Sequence, residues 1–281
     1  MAATTATPPY ALLAAFTGPG CAGNQALVVC HRQALGSTAM QAMAQTLLAR
    51  HPATACAFVS PMSQEANTAA DYQLRSFHAS GEILLCGHAA LCAAHWLWQQ
   101  IPRAQPLRFH LPACRQQLLA ERHGEEICLE LPANFLRPAQ PPAGLAALLK
   151  GEIRACAHSQ TLPGSLLVEL ADERVLRQFQ PRAEALLAIS RDCLLLTAAS
   201  AAPDIDIVSR YFTPAYGTLE DPATGSAHAM LAIWWRQRLG DRPLHCLQAS
   251  PAGGWLRIQQ HQQGVRLWAQ CTTIPIIHQP L

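Results

Sequence analysis

Short apolar runs with a period near two recur along the chain, separated by longer stretches that are apolar on every side. Runs at 25–30 (QALVVC), 56–60 (CAFVS), 72–77 (YQLRSF), 107–111 (LRFHL) and 126–131 (EICLEL) predict strands. Residues 38–50 carry helical spacing, with Ser37 as the expected N-cap, and 87–99 predict a second helix. The stretch LPANFLRPAQPPAG (131–144) concentrates prolines and reads as a linker. Beyond it, strands are expected near 166–170, 193–197, 204–210, 255–259 and 264–269, and helices near 143–151, 172–188 and 225–239. Strands and helices mix in each half without regular β-α-β alternation. That order predicts an α+β chain of two domains, 1–132 and 133–281.

Two segments repeat one another: GHAALCAAHWLWQQ from Gly87 and GSAHAMLAIWWRQR from Gly225. Each opens on glycine and small or polar residues, runs through mostly apolar positions, and carries tryptophan late. A helix apolar all round is a buried one. One such helix in each half indicates a duplicated unit.

Composition narrows the partners. The 281 residues are half hydrophobic and only 14% charged, with 20 basic against 18 acidic side chains. No basic cluster stands out, so neither nucleic acid nor an acidic membrane is expected as a partner. No run of about 18 uninterrupted apolar residues is present, which argues against a membrane-spanning helix. The N-terminal stretch lacks the basic start of a secretory signal. Eleven cysteines are scattered, odd in number, and mostly set in apolar segments, as at Cys30, Cys56, Cys92, Cys128 and Cys193. This pattern suits buried thiols in a reducing, cytoplasmic setting better than a disulfide framework.

Candidate chemistry gathers at the starts of the two repeated helices. SGEILLCGH (80–88) leads into the first and YGTLEDPATGSAH (216–228) into the second. A helix N-terminus offers unpaired N–H groups and the positive end of the dipole, suited to carboxylate or phosphate. Glycine there lets a ligand approach the backbone closely. Cys86, His88, Asp221, Thr224 and Ser226 cluster at these two starts. A thiol beside a helix start has its thiolate favoured, carboxylate or imidazole transfers protons, and N–H donors stabilise the anion formed. The set suits cofactor-free proton abstraction and return on a small carboxylic acid.

Plainer roles fit the same residues. Cys86 reads equally as a core thiol, His88 as a helix cap, and Asp221 as support for the turn before Pro222. His95 and His228 lie on the apolar helices and read as satisfied core or cleft histidines. Cys86, His88, Cys92 and His95 match no zinc spacing, and one helix cannot aim all four at one ion, so no metal is expected. The glycine-rich stretches lack the Gly-Lys-Ser/Thr of a P-loop.

AFTGPGCAGNQALVV (15–29), QLRSFHASGEILLCGHAAL (73–91), VSRYFTPAYGTLEDPATGSAHAML (208–231) and QASPAGG (248–254) resemble the PhzF-like (phenazine biosynthesis) protein family over nearly the whole chain. The resemblance implies a diaminopimelate-epimerase-like fold: two pseudo-symmetric domains, each a mixed β-sheet wrapped around a central helix. It implies an active site between the domains, isomerase or epimerase activity on small carboxylic acids without a cofactor, and a homodimer. By motif, His88, Asp221 and Ser226 match family active-site positions, and Gly87 and Gly225 match the glycines of the carboxylate cradle.

The departures from the family are specific. Its principal acid/base is a glutamate in a Ser-Glu-Thr-x-Phe-Val stretch. The matching stretch here is HPATACAFV (51–59), which puts Thr54 at the serine and Ala55 at the glutamate. Thr54 and Ala55 keep the substrate-binding place without the proton carrier, and Glu65 is the nearest acid along the chain. Ala252 stands where the family has arginine. Epimerases of the same fold use a thiol before each paired glycine; this chain keeps Cys86 and has Thr224 at the second place.

The expected function is therefore a PhzF-like, cofactor-independent isomerase or epimerase on a small carboxylic acid. Cys86, His88 and Asp221 are its catalytic candidates. Gly87, Gly225, Ser226, Thr224, Thr54 and Ala55 are its substrate-binding candidates. The rival expectation is a carboxylate-binding protein on the same scaffold, with catalysis lost at Ala55; a purely structural or interaction module is a third.

Overall fold

A computed structural model describes residues 8–32, 35–62, 70–101, 106–162, 164–262 and 264–276. Glu65 lies outside the described residues. The chain forms two compact units. One is built from residues up to Ala15, Gln25–Leu129 and the segment from Cys271; the other from Phe16–Asn24 and Glu130–Gln270.

The elements leading through the first unit are β1 (Tyr10–Thr17), β2 (Asn24–Cys30), α1 (Ser37–Leu48), β3 (Ala55–Pro61), β4 (Tyr72–His78), β5 (Gly81–Ile83), α2 (Gly87–Gln100), β6 (Leu107–Leu111), β7 (Gln116–His123) and β8 (Glu126–Pro132). β2 and β3 run parallel, joined through α1; β3 and β4 are antiparallel, and β4 folds back on β5. β4 also pairs in parallel with β6, which forms a hairpin with β7. Alternation sorts the strand residues onto two faces. Leu27, Val29, Cys56, Phe58 and Phe77 join Met40, Ala44 and Leu47 of α1 in one apolar cluster. α2 is buried from Gly87 through Ala94, and its run of alanines allows close packing on all sides.

The second unit continues with β9 (Leu136–Ala139), α3 (Leu145–Leu149), β10 (Ile153–Ser159), β11 (Ser165–Leu170), α4 (Glu173–Gln178), α5 (Ala183–Leu187), β12 (Cys193–Ala199), β13 (Ile207–Thr213), β14 (Thr218–Asp221), α6 (Gly225–Leu239), β15 (Leu244–Gln248), β16 (Gly254–His261) and β17 (Gly264–Ile274). β11 and β12 run parallel, β12 and β13 antiparallel, and β13 folds back on β14. β13 pairs in parallel with β15, which forms a hairpin with β16. This is the pairing order of β2 through β7, with α6 in the place of α2. The duplication expected from the two glycine-led helices is thus a duplication of whole units: mixed sheets, each with a buried helix, in an α+β fold.

Some local expectations fail for identifiable reasons. Ser37 does not cap α1: Gly36 is the N-cap, and the Ser37 hydroxyl instead accepts a hydrogen bond from Arg75 Nη2 at 2.9 Å. The stretch 131–144 is not a plain linker. Its Leu136–Ala139 segment forms a short strand that pairs antiparallel with β10. The helix expected over 172–188 breaks into α4 and α5 around Pro181. Among the described residues, no helix is long and apolar enough to cross a membrane.

Candidate active site

In the first unit the structure brings Thr54, Ala55, Cys86, Gly87 and His88 together. α2 begins at Gly87, with Cys86 as an extended N-cap whose side chain does not cap the helix. His88, on the first turn, is 7% exposed. The Thr54 hydroxyl donates to the Gln25 carbonyl at 3.2 Å and lies 3.0 Å from His88 Nε2. With its one proton directed to Gln25, the hydroxyl must accept from His88 Nε2–H. His88 Nδ1 is then the bare nitrogen of a neutral ring, and the Cys86 thiol 3.4 Å away donates to it. The result is one directed chain, from the Cys86 S–H through His88 and Thr54 to the Gln25 carbonyl. Burial pushes the His88 imidazole down to about 3, and the nearby His78 ring adds to the shift, so His88 is neutral near neutral pH. Ala55, at the head of β3, is fully buried and offers a methyl group alone.

In the second unit Asp221, Thr224, Gly225 and Ser226 gather where β14 turns into α6. Thr224 is the extended N-cap of α6, and its side chain likewise leaves its own helix uncapped. Its hydroxyl donates instead to Asp221 Oδ2. Asp221 Oδ1 accepts from Asn24 Nδ2 at 2.8 Å, and the same amide donates to the Ala223 carbonyl at 2.9 Å. Gln248 is wholly buried and clamps the loop from the other side. Its Oε1 accepts from Thr224 N at 2.8 Å and its Nε2 donates to the Asp221 carbonyl at 2.6 Å. Ser250 donates to the Pro222 carbonyl at 2.6 Å. Both Asp221 carboxylate oxygens are thus held by neutral donors, which fixes the orientation of the group.

Sequence reasoning missed Asn24, Gln248, Ser250 and His78. All four lie inside the stretches that resemble the family, but nothing in their spacing gives them a partner; only folding brings Asn24 and Gln248 to the Asp221 loop. Ala252 supplies its backbone, accepting from Ala22 N at 2.7 Å. His228 is wholly buried and satisfied, with Nδ1 donating to the Thr224 carbonyl at 2.8 Å and Nε2 3.2 Å from the Ser209 hydroxyl. His95 pairs with Gln99 at 2.9 Å. His228 is thus a satisfied core histidine, whereas His95 is half-buried.

Comparison with known proteins agrees with this architecture. An uncharacterized isomerase of Halalkalibacterium halodurans is 31% identical over 270 residues, covering 95% of this chain and 97% of its own. The crystal structure of a PhzF-family protein from Enterococcus faecalis superposes with a TM-score of 0.81 at 27% identity, covering 95% of this chain and 96% of that one. A hydroxyproline epimerase of Agrobacterium vitis, solved with bound trans-4-hydroxy-L-proline, shares the fold with a TM-score of 0.60 at 11% identity, over 95% of this chain and 91% of that one. The sequence profile of the phenazine biosynthesis-like proteins (PhzC-PhzF) matches residues 13–263, and the chain belongs to that family.

Proposed function

We propose that the protein is a cofactor-independent isomerase or epimerase that moves a proton on a small carboxylic acid. The observation that carries this reading is the design shared by both buried helix starts. Gly87 and Gly225 open α2 and α6, each preceded by a residue whose side chain turns away from capping and toward a proton-accepting partner, Cys86 to His88 and Thr224 to Asp221. Uncapped first-turn N–H groups favour a carboxylate and the enolate-like anion formed when its neighbouring carbon loses a proton. Cys86 with His88, and Asp221, are the proton-handling groups. Gly87, Gly225, Thr224, Ser226 and Thr54 hold the substrate, and Ala55 contributes space. The likeness to an isomerase across almost the whole chain supports the reaction class.

The test is solvent deuterium incorporation into a panel of amino acids and cyclic hydroxy acids incubated with the protein in deuterium oxide. Exchange into at least one member is expected, abolished by Cys86→Ser or Asp221→Asn with the circular dichroism spectrum unchanged. Binding of panel members without exchange into any of them overturns the catalytic reading.

A further inference from the structure

Ala55 heads β3, and the β3–β4 register pairs Cys56 with Phe77. The next antiparallel step outward sets Ala55 opposite His78, the last residue of β4. Directly opposed residues project from the same face, with Cβ atoms about 4.5–5.5 Å apart. Cys56 and Phe77 point into the cluster that holds α1. Alternation therefore sends Ala55 and His78 to the other face, the one that carries α2 and His88.

His78 is fixed there by the residue that also fixes His88. Its Nδ1 lies 2.9 Å from the Thr54 carbonyl oxygen, while the Thr54 hydroxyl lies 3.0 Å from His88 Nε2. A carbonyl only accepts, so the His78 proton sits on Nδ1 and the lone pair of the neutral ring is on Nε2. The two imidazoles differ in what they can do. The lone pair of His88 is turned to the Cys86 thiol in a buried chain, whereas His78 is exposed.

Resting on the isomerase reading above, we propose that His78 is a catalytic base of this protein, its Nε2 serving where Ala55 offers no carboxylate. Nε2 removes the proton from the carbon next to the substrate carboxylate. The C–H pair stays with the substrate and delocalises toward the carboxylate, and the ring becomes imidazolium. Return of a proton from Nε2 to a carbon of the substrate restores the neutral ring. No electrons enter or leave, and no co-reactant is needed. Because the ring is exposed, its proton exchanges with solvent between the two steps, so deuterium enters the product.

The test compares wild type, His78→Asn, Cys86→Ser, and His78→Asn with Ala55→Glu, using the same panel in deuterium oxide. The asparagine amide keeps a donor for the Thr54 carbonyl and carries no basic lone pair, so orientation is retained and the base is lost. His78→Asn is expected to slow exchange at least 100-fold with KM changed less than threefold. Ala55→Glu in that background is expected to recover at least tenfold. Exchange by His78→Asn within threefold of wild type, while wild type exchanges and Cys86→Ser does not, overturns the role of His78 and leaves the isomerase reading standing. Absence of exchange by wild type across the panel overturns that reading, and the role of His78 with it.

Discussion

The loop that carries Asp221 is held against β16 with no room for one more carbon, and Gly254→Ala tests that fit. A Cβ built on Gly254 meets the Ala223 Cβ at 2.4 Å, against 3.4–4 Å for ordinary contact. The two must separate by about 1 Å, and Ala223 is not free to give way. It is fully buried; its carbonyl is held by Asn24, the Pro222 carbonyl before it by Ser250, and the Thr224 N–H after it by Gln248. Overpacking of this kind costs about 1–3 kcal/mol. At roughly 2–4 °C per kcal/mol, Tm falls by about 2–12 °C. Exchange activity falls with it, because the displaced residues position Asp221.

Ala223→Gly removes the opposing carbon. The next neighbours of the new methyl are then the Cα of residue 223 at 3.5 Å and Gln248 Cβ at 3.6 Å, both ordinary contacts. On its own, Ala223→Gly costs about 0.4–1 kcal/mol through the unfolded chain, and Gly254→Ala recovers a similar amount by the same route. The double variant should therefore lie near wild type, with a coupling of about 1–3 kcal/mol in the favourable direction. Urea and thermal unfolding of the four proteins measure this cycle. A coupling within about 0.5 kcal/mol of zero refutes the steric account.

Arg210→Met should cost about 3–5 kcal/mol in urea unfolding. It strands the Glu220 carboxylate 2.6 Å from Arg210 Nη2, with the two side chains only 7% and 11% exposed, and strips a donor from the Leu176 and Phe179 carbonyls; a loss below about 1 kcal/mol would mean that water reaches the pair. Stability should also fall in mild acid. His88 and His228 are pushed down by burial, to about 3 and about 4, from an ordinary value of 6.5, so the unfolded chain binds their protons first. Their contribution is fully present above 6.5 and is lost as pH falls toward the folded values, at about 1.4 kcal/mol per pH unit for each ring. Unfolding at pH 7.5 and 5.0 should show about 2 kcal/mol less of that drop in His88→Gln or His228→Gln, and an unchanged drop in both variants contradicts burial of neutral rings.

How much was legible in the sequence depended on the kind of signal. α6 matches its expected bounds because Gly225 and Gly240 bracket a mostly apolar run, and β6 does because Leu107, Phe109 and Leu111 alternate cleanly inward. β10 was missed because Arg154, Cys156 and His158 alternate with small alanines and give little apolar contrast between its faces, and it is held by ladder partners on both sides. Arg75 explains the failed cap at Ser37: it arrives 38 residues later along the chain to take that hydroxyl. The candidate site divides the same way. Gly87, His88, Asp221 and Gly225 were visible in contiguous motifs. Asn24, Gln248 and His78 matter through pairing across strands and loops, and one-dimensional spacing does not encode that.

The duplication gives a physical reason for seeking chemistry at His78 in particular. In β4 and β5, Arg75 lies over the Phe77 ring at 5.3 Å and pairs with Glu82; in β13 and β14, Arg210 lies over Phe212 at 4.8 Å and pairs with Glu220. These parts brace a hairpin, and both units keep them. The helix-opening glycines Gly87 and Gly225 are kept as well, and with no Cβ they allow close approach to the first-turn amides. Differences appear in the side chains around the helix starts: Cys86 against Thr224, and His88 against Ser226. The next register step follows the same division. Leu194 pairs with Phe212 as Cys56 does with Phe77, so Thr213 faces Cys193 where His78 faces Ala55. Thr213 spends its hydroxyl on its own hairpin, donating to the Thr218 carbonyl at 2.9 Å. Bracing its own hairpin accounts for Thr213. His78 is exposed and uses one ring nitrogen on the Thr54 carbonyl, which lies outside its own hairpin, so hairpin bracing does not account for an imidazole there. A base acting beside an alanine does.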